Sequence, residues 1–142
     1  MGKKRIVKKG GDDTAKSGGS SSRSSRRKMD SGILNVQATY NNTKVCLADS
    51  TGGVVAWSSS GSLGFAGAKK GTPFAAAKVG ELLGDKALVM GVKEVSVVVT
   101  GVGAGRESAI RAFSGKGIAI VGIKDATPVP HNGPRAKKPR RV

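Results

Sequence analysis

The chain predicts a mixed α/β fold: a five-stranded mixed sheet with helices packed on it and basic extensions at both ends. Three observations carry this reading. Residues 33–40 alternate apolar and polar side chains with the period of a strand. The pair Thr72-Pro73 opens a long run with apolar residues near helical spacing. The β-branched run VSVVVT, residues 95–100, reads as a buried central strand and leads through a glycine loop into a second, shorter helix.

The elements follow in order. In the first strand, 33–40, Leu34, Val36, Ala38 and Tyr40 share one side, with Asn35, Gln37 and Thr39 on the other. Asn41, Asn42 and Thr43 form a tight turn, since asparagine tolerates positive φ. A second strand covers 45–49, Ser50 to Gly53 turn the chain, and Val54–Ser59 is the third strand. A Gly/Ser loop over 60–71 carries Phe65, Lys69 and Lys70. Thr72 caps the first helix, Pro73 to about Met90, and Gly91 follows its end. Gly80 and Gly84 inside it each weaken a helix by about 1 kcal/mol relative to alanine, so they predict close approach of another backbone. After strand 95–100 come Gly101 to Gly105, a helix over Arg106–Ser114, and a last strand over 118–123. The order βββαβαβ puts a meander beside crossover-linked strands.

Charge divides the chain differently. Its 142 residues hold 25 Lys+Arg and 9 Asp+Glu, a net of +16. The excess is +7 in residues 1–30, +4 in 31–130 and +5 in 131–142. Residues 1–30 are rich in Lys, Gly, Ser and Arg and read as a disordered arm; 31–126 read as the globular domain. Residues 127–142, TPVPHNGPRAKKPRRV, hold four prolines and five uncompensated cations. Proline fixes φ and removes a donor, so this tail is extended and shaped to lie along a polyanion. Clustered cations at a pI near 10.6 point to nucleic acid. The basic segments lack an apolar face for a membrane surface, and no membrane partner is expected. A single cysteine and the absence of a signal peptide suggest a reducing compartment, and Asp12 and Asp13 argue against a transit peptide.

Few residues offer chemistry. Gly101 to Glu107, GVGAGRE, join a strand to a helix start, where backbone N–H groups and Arg106 suit a phosphate. The spacing is neither GxxxxGK[ST] nor GxGxxG; the alternative reading is a glycine turn that packs helix on sheet. Trp57 suits either packing or base stacking, and Phe65 either a partner or the loop. His131 is the sole histidine and lies in the tail, so it is a poor general base. One His and one Cys make no ordinary zinc site, and Cys46 reads as a small strand hydrophobe. Asp49, Glu107 and Asp125 converging on Mg²⁺ would make a nuclease, the outlying alternative. A stand-alone nucleic-acid-binding chaperone is the other. At Asn132-Gly133 the unhindered glycine amide can attack the asparagine carbonyl and give isoaspartate; ordinary turn chemistry is the alternative.

Five runs in register, ATYNNT (38–43), WSSSGSLGF (57–65), KKGTPFAA (69–76), GAGRESAIRA (103–112) and DATPVPHNGPRAKKPRRV (125–142), resemble the bacterial-type small-subunit ribosomal protein eleven family. The resemblance implies an RNase H-like three-layer fold without catalysis or cofactor. It implies a place on the platform of the small subunit, bridging rRNA helices beside ribosomal proteins seven and eighteen. That place is near the cleft for the mRNA–rRNA initiation duplex. It further implies the exit mRNA and initiation factor three as partners, no homo-oligomer, and a cytoplasmic rather than organellar ribosome.

The residues it implies to face rRNA are Asn41, Asn42, Thr43, Trp57, Ser58, Ser59, Gly61, Phe65, Lys69, Lys70, Thr72 and Pro73. Gly103, Gly105, Arg106, His131, Asn132, Gly133, Arg135, Lys137, Lys138, Arg140 and Arg141 complete the set. The chain departs from the family pattern at Val102, where proline is usual, and at Pro134, where cysteine is usual. It departs also at Ala66 and Lys69, where another Lys and an Arg often stand.

Overall fold

The computed structural model describes residues 28–142. Its elements are β1 (Ser31–Ala38), β2 (Thr43–Ala48), β3 (Val54–Ser59), α1 (Pro73–Met90), β4 (Glu94–Thr100), α2 (Arg106–Ser114) and β5 (Ala119–Asp125). The five strands form one mixed sheet, as expected, in the order β3-β2-β1-β4-β5. The three meander strands pair antiparallel, and β4 pairs parallel with both β1 and β5.

Both helices lie on one face, for a reason contained in the topology. The crossovers from β3 to β4 and from β4 to β5 move in the same direction across the sheet. Right-handed connections that move the same way put their helices on the same side. Register aligns the buried side chains beneath them: Leu34 lies opposite Leu47 and Val97, and Val36 opposite Val45 and Val99. Val79, Leu83 and Ala87 of α1 and Ala109 and Phe113 of α2 close the core from above.

The helices approach closely because α1 has glycine at the contact. A Cβ on Gly80 would strike the Ala109 carbonyl, and one on Gly84 would meet the Lys116 stem. The predicted backbone approach thus holds at Gly80; at Gly84 the neighbour is chiefly a side chain. Thr72 caps α1 by accepting from the Ala75 amide at 3.3 Å.

The other face of the sheet carries Asn35, Gln37, Lys44, Trp57 and Ser96, all exposed, with Cys46 and Val98 partly covered between them. Burial pushes the Cys46 thiol pKa up. Two layers result among the described residues, where the resemblance implied three.

Several boundaries differ from the sequence reading. β1 runs from Ser31 to Ala38, and Tyr40 leaves the sheet to lie 78% exposed. The cause is a turn that starts two residues earlier, with the Thr39 amide donating to the Asn42 carbonyl at 2.8 Å. Thr43 consequently belongs to β2, paired with Ala38, and β2 ends at Ala48. The central strand is β1; β4 lies beside it and has Ser96 exposed, since no helix covers that side. β5 is shifted to Ala119–Asp125, with Ile118 buried just before it. The Gly/Ser loop holds a short 3-10 turn, Gly67–Gly71. The reading of residues 1–30 as a disordered arm lies, up to residue 27, outside the described residues.

Candidate nucleic-acid interface

The carboxyl ends of β1, β3, β4 and β5 and the amino end of the antiparallel β2 bring several loops toward one rim of the sheet. The segments singled out from the sequence converge there. The turn between β1 and β2 sits between two glycine segments. A side chain at Gly71 would strike the Tyr40 carbonyl, and one at Gly103 the Thr39 carbonyl. The Gly103 amide donates to the Ala38 carbonyl at 2.8 Å. Gly105, which precedes α2, lies under Thr43 and Ala76. Gly103 and Gly105 are therefore buried packing glycines that bring this loop against the turn.

The serine run has a structural task as well. Ser58 and Ser59 are buried, at 2% and 8% exposure, and Thr43 is fully buried. The Ser59 amide donates to Ser62 Oγ at 2.9 Å, the Ser62 hydroxyl donates to the Ser59 carbonyl at 2.8 Å, and the Ser60 amide donates to the Thr43 carbonyl at 3.0 Å. These bonds turn the chain off the sheet. Asn42 Oδ1 and Thr43 Oγ1 are buried at this rim without a hydrogen-bond partner among the described residues.

Outward-facing groups remain. Asn41, Gly61, Lys69 and Pro73 are exposed, Lys70 is half-buried, and Trp57 is 62% exposed on the open face. Thr72 is half-buried, and its hydroxyl donates to the Lys69 carbonyl at 2.7 Å, fixing the two-lysine turn against α1. Phe65 instead meets Phe74 edge-on, ring centres 6.1 Å apart, in an apolar groove. Sequence reasoning missed Lys44, exposed on the open face; its outward place in the alternation of β2 was the available signal.

Arg106 joins three segments. Its guanidinium donates to the Gly101 carbonyl, to Thr127 Oγ1 at 3.3 Å and to Asp125 Oδ2 at 2.6 Å. Asp125 also accepts from the Thr127 hydroxyl and amide, at 2.6 and 2.9 Å. The Thr127 hydroxyl first, and Arg106 second, hold the Asp125 carboxyl well below the usual carboxylate range. No local pattern signals this latch, because Arg106 and Asp125 are 19 residues apart. Beside it a cleft of about 320 Å³ is lined by Gly103, Ala104, Glu107, Ser108 and Arg111.

The tail leaves this rim from Ala126 onward, in neither helix nor strand. Arg135, Lys137, Lys138, Arg140, Arg141 and His131 are exposed, and among the described residues none of the five tail cations enters an ion pair. Asn132 adopts φ 57°, beside Gly133.

The three carboxylates of the nuclease alternative do not meet. Asp49 caps the β2–β3 turn at the far end of the sheet, accepting from the Gly53 amide at 2.7 Å, and Asp125 is held by Arg106. No cluster of three metal-ligating side chains occurs among the described residues, and none of their helices is long and apolar enough to cross a membrane.

Known proteins resemble this chain over most of its length. The family model described as ribosomal protein S11 matches residues 32–141. Small ribosomal subunit protein uS11 of Gloeobacter violaceus is 52% identical over 117 residues, 82% of this chain and 90% of that protein. The proteins of the same name from Rippkaea orientalis and Acaryochloris marina are each 50% identical over the same shares. A match through the whole sheet, both helices and the basic tail leaves one conclusion: the chain belongs to the ribosomal protein S11 family.

Proposed function

We propose that this chain is a structural constituent of the small ribosomal subunit that binds rRNA through the rim and tail, bridging helices on the platform. Its family consists of structural components and not enzymes. The observation that carries the finer reading is the convergence at one rim of the Thr39–Asn42 turn, the two-lysine turn, the glycine loop and the root of the tail.

A compact body supplies shape, and exposed cations supply affinity. Folded RNA is recognised largely through phosphate and shape, with release of condensed cations driving association. Lys69, Lys70 and the five tail cations neutralise phosphates. Trp57 offers a face for a base. Arg106 acts mainly inward: it fixes where the tail starts. The buried Thr43, Ser58 and Ser59 act through the backbone turn they build.

The setting belongs to the same reading: ribosomal proteins seven and eighteen as neighbours, the initiation-duplex cleft and the exit mRNA nearby, initiation factor three as a transient partner, and a cytoplasmic ribosome. The test is sedimentation of a cell lysate through sucrose in high salt. The chain is expected to travel with small subunits. Recovery at the top of the gradient, or equal binding to unrelated RNAs, would favour a stand-alone RNA-binding protein.

A further inference from the structure

The outer face of α1 carries a feature whose chemistry differs from that of the cationic rim. Phe65 and Leu63 from the Gly/Ser loop meet Phe74 and Leu82 of α1 to form an apolar groove of about 490 Å³. Phe74 is 64% exposed despite its size. Exposed apolar surface collected into one groove marks an interaction site more often than scattered apolar residues do. The groove is bordered by Glu81 and Asp85, two of the six acids in residues 31–130.

The local charge decides what fits. Lys78 is the one cation of the lining, and its ammonium is already turned onto Glu81 at 3.0 Å and onto the Phe74 ring at 5.7 Å. Asp85 holds Lys116 at 2.9 Å. These ion pairs use Glu81 Oε2 and Asp85 Oδ1, and each carboxylate keeps a second oxygen for a further donor. An apolar slot whose border lysines are both engaged by Glu81 and Asp85 presents, among the described residues, no free cation to a phosphate backbone. It suits an aliphatic or aromatic side chain with Lys or Arg beside it, the arrangement of an interface anchor with complementary charges around it.

We propose that this groove docks a basic segment of a neighbouring protein in the assembled subunit, with an apolar side chain seated between Phe74 and Leu82. The docking role rests on the ribosomal reading above and adds a protein-facing surface to the RNA-facing rim.

A photo-reactive benzoylphenylalanine at position 82, carried by subunits purified after sedimentation, tests it. The expected result is a cross-link to a Lys/Arg-rich segment of another protein, with the yield lowered about tenfold by Glu81→Lys. A cross-link to rRNA, none at all, a partner segment without basic residues, or a yield indifferent to Glu81→Lys would each overturn it. The same probe at position 65 replaces one aromatic ring by another and supplies the reading if the position-82 variant fails to assemble. Absence of labelled chain from the subunit peak with both probes would instead count against the ribosomal reading, so the two failures are distinguishable.

Discussion

Arg106 and Asp125 form an ion pair of 2.6 Å that ties the first residue of α2 to the last residue of β5. Thr127 completes the knot from the start of the tail. The segment that carries five cations is thus anchored at its root and open along its length.

Acid should release this anchor. The folded Asp125 carboxyl titrates below its unfolded value near 4, so its contribution is present above that value. It is lost as pH falls toward the depressed folded value. Thermal unfolding of wild type and Asp125→Asn should differ at pH 6 and converge as pH drops from about 4 to 2. A difference that stays constant over that range would show that the carboxylate charge is irrelevant.

Gly80→Ala sets two effects against each other. Alanine is the better helix former by about 1 kcal/mol. The added methyl would strike the Ala109 carbonyl, and overpacking of a tight contact costs about 1–3 kcal/mol. The close approach should win, and the urea midpoint should fall with an unchanged slope. A raised midpoint would mean that α1 and α2 separate freely.

Trp57 lies on the open face at 62% exposure. Replacing it by alanine should move stability by no more than about 0.5 kcal/mol. If its ring stacks on a base, the same change should weaken rRNA binding roughly five- to a hundredfold. A large loss of stability with unaltered binding would return Trp57 to a packing role.

Asn132 stands at φ 57° with the glycine amide following it. Incubation of the protein at neutral pH should convert it to isoaspartate, detected by isoaspartyl methyltransferase labelling of the C-terminal peptide and abolished by Asn132→Gln. An unlabelled peptide after prolonged incubation would show that the tail holds the amide away from the carbonyl.

How much of the fold and the rim was legible in the chain depends on the range of the forces involved. Both helices were readable, since Thr72-Pro73, Gly91 and the glycines around 101–105 act within a turn of their own position. The packing role of Gly80 was also readable, because a glycine inside a helix weakens it and is kept where a side chain would not fit. Tyr40 was misplaced because its alternation continues past the point where Thr39 and Asn42 close the turn. Ser58 and Ser59 look like a polar surface run, and only their bonds to Ser62 and the neighbouring β2 turn them inward. Arg106 looked available to a phosphate because Asp125 is distant in sequence. The bare second face follows from the direction of two crossovers, a property of the whole chain that no local pattern encodes.

The salt dependence of rRNA binding measures most directly whether the tail cations hold this protein in place. Small-subunit rRNA is titrated over a range of salt by filter binding, with the full chain and with a chain lacking residues 131–142. The five cations should account for roughly 3–4 units of the log–log slope, and the truncated chain should bind more weakly with a slope flatter by that amount. Equal slopes for the two chains would contradict a tail that grips phosphate.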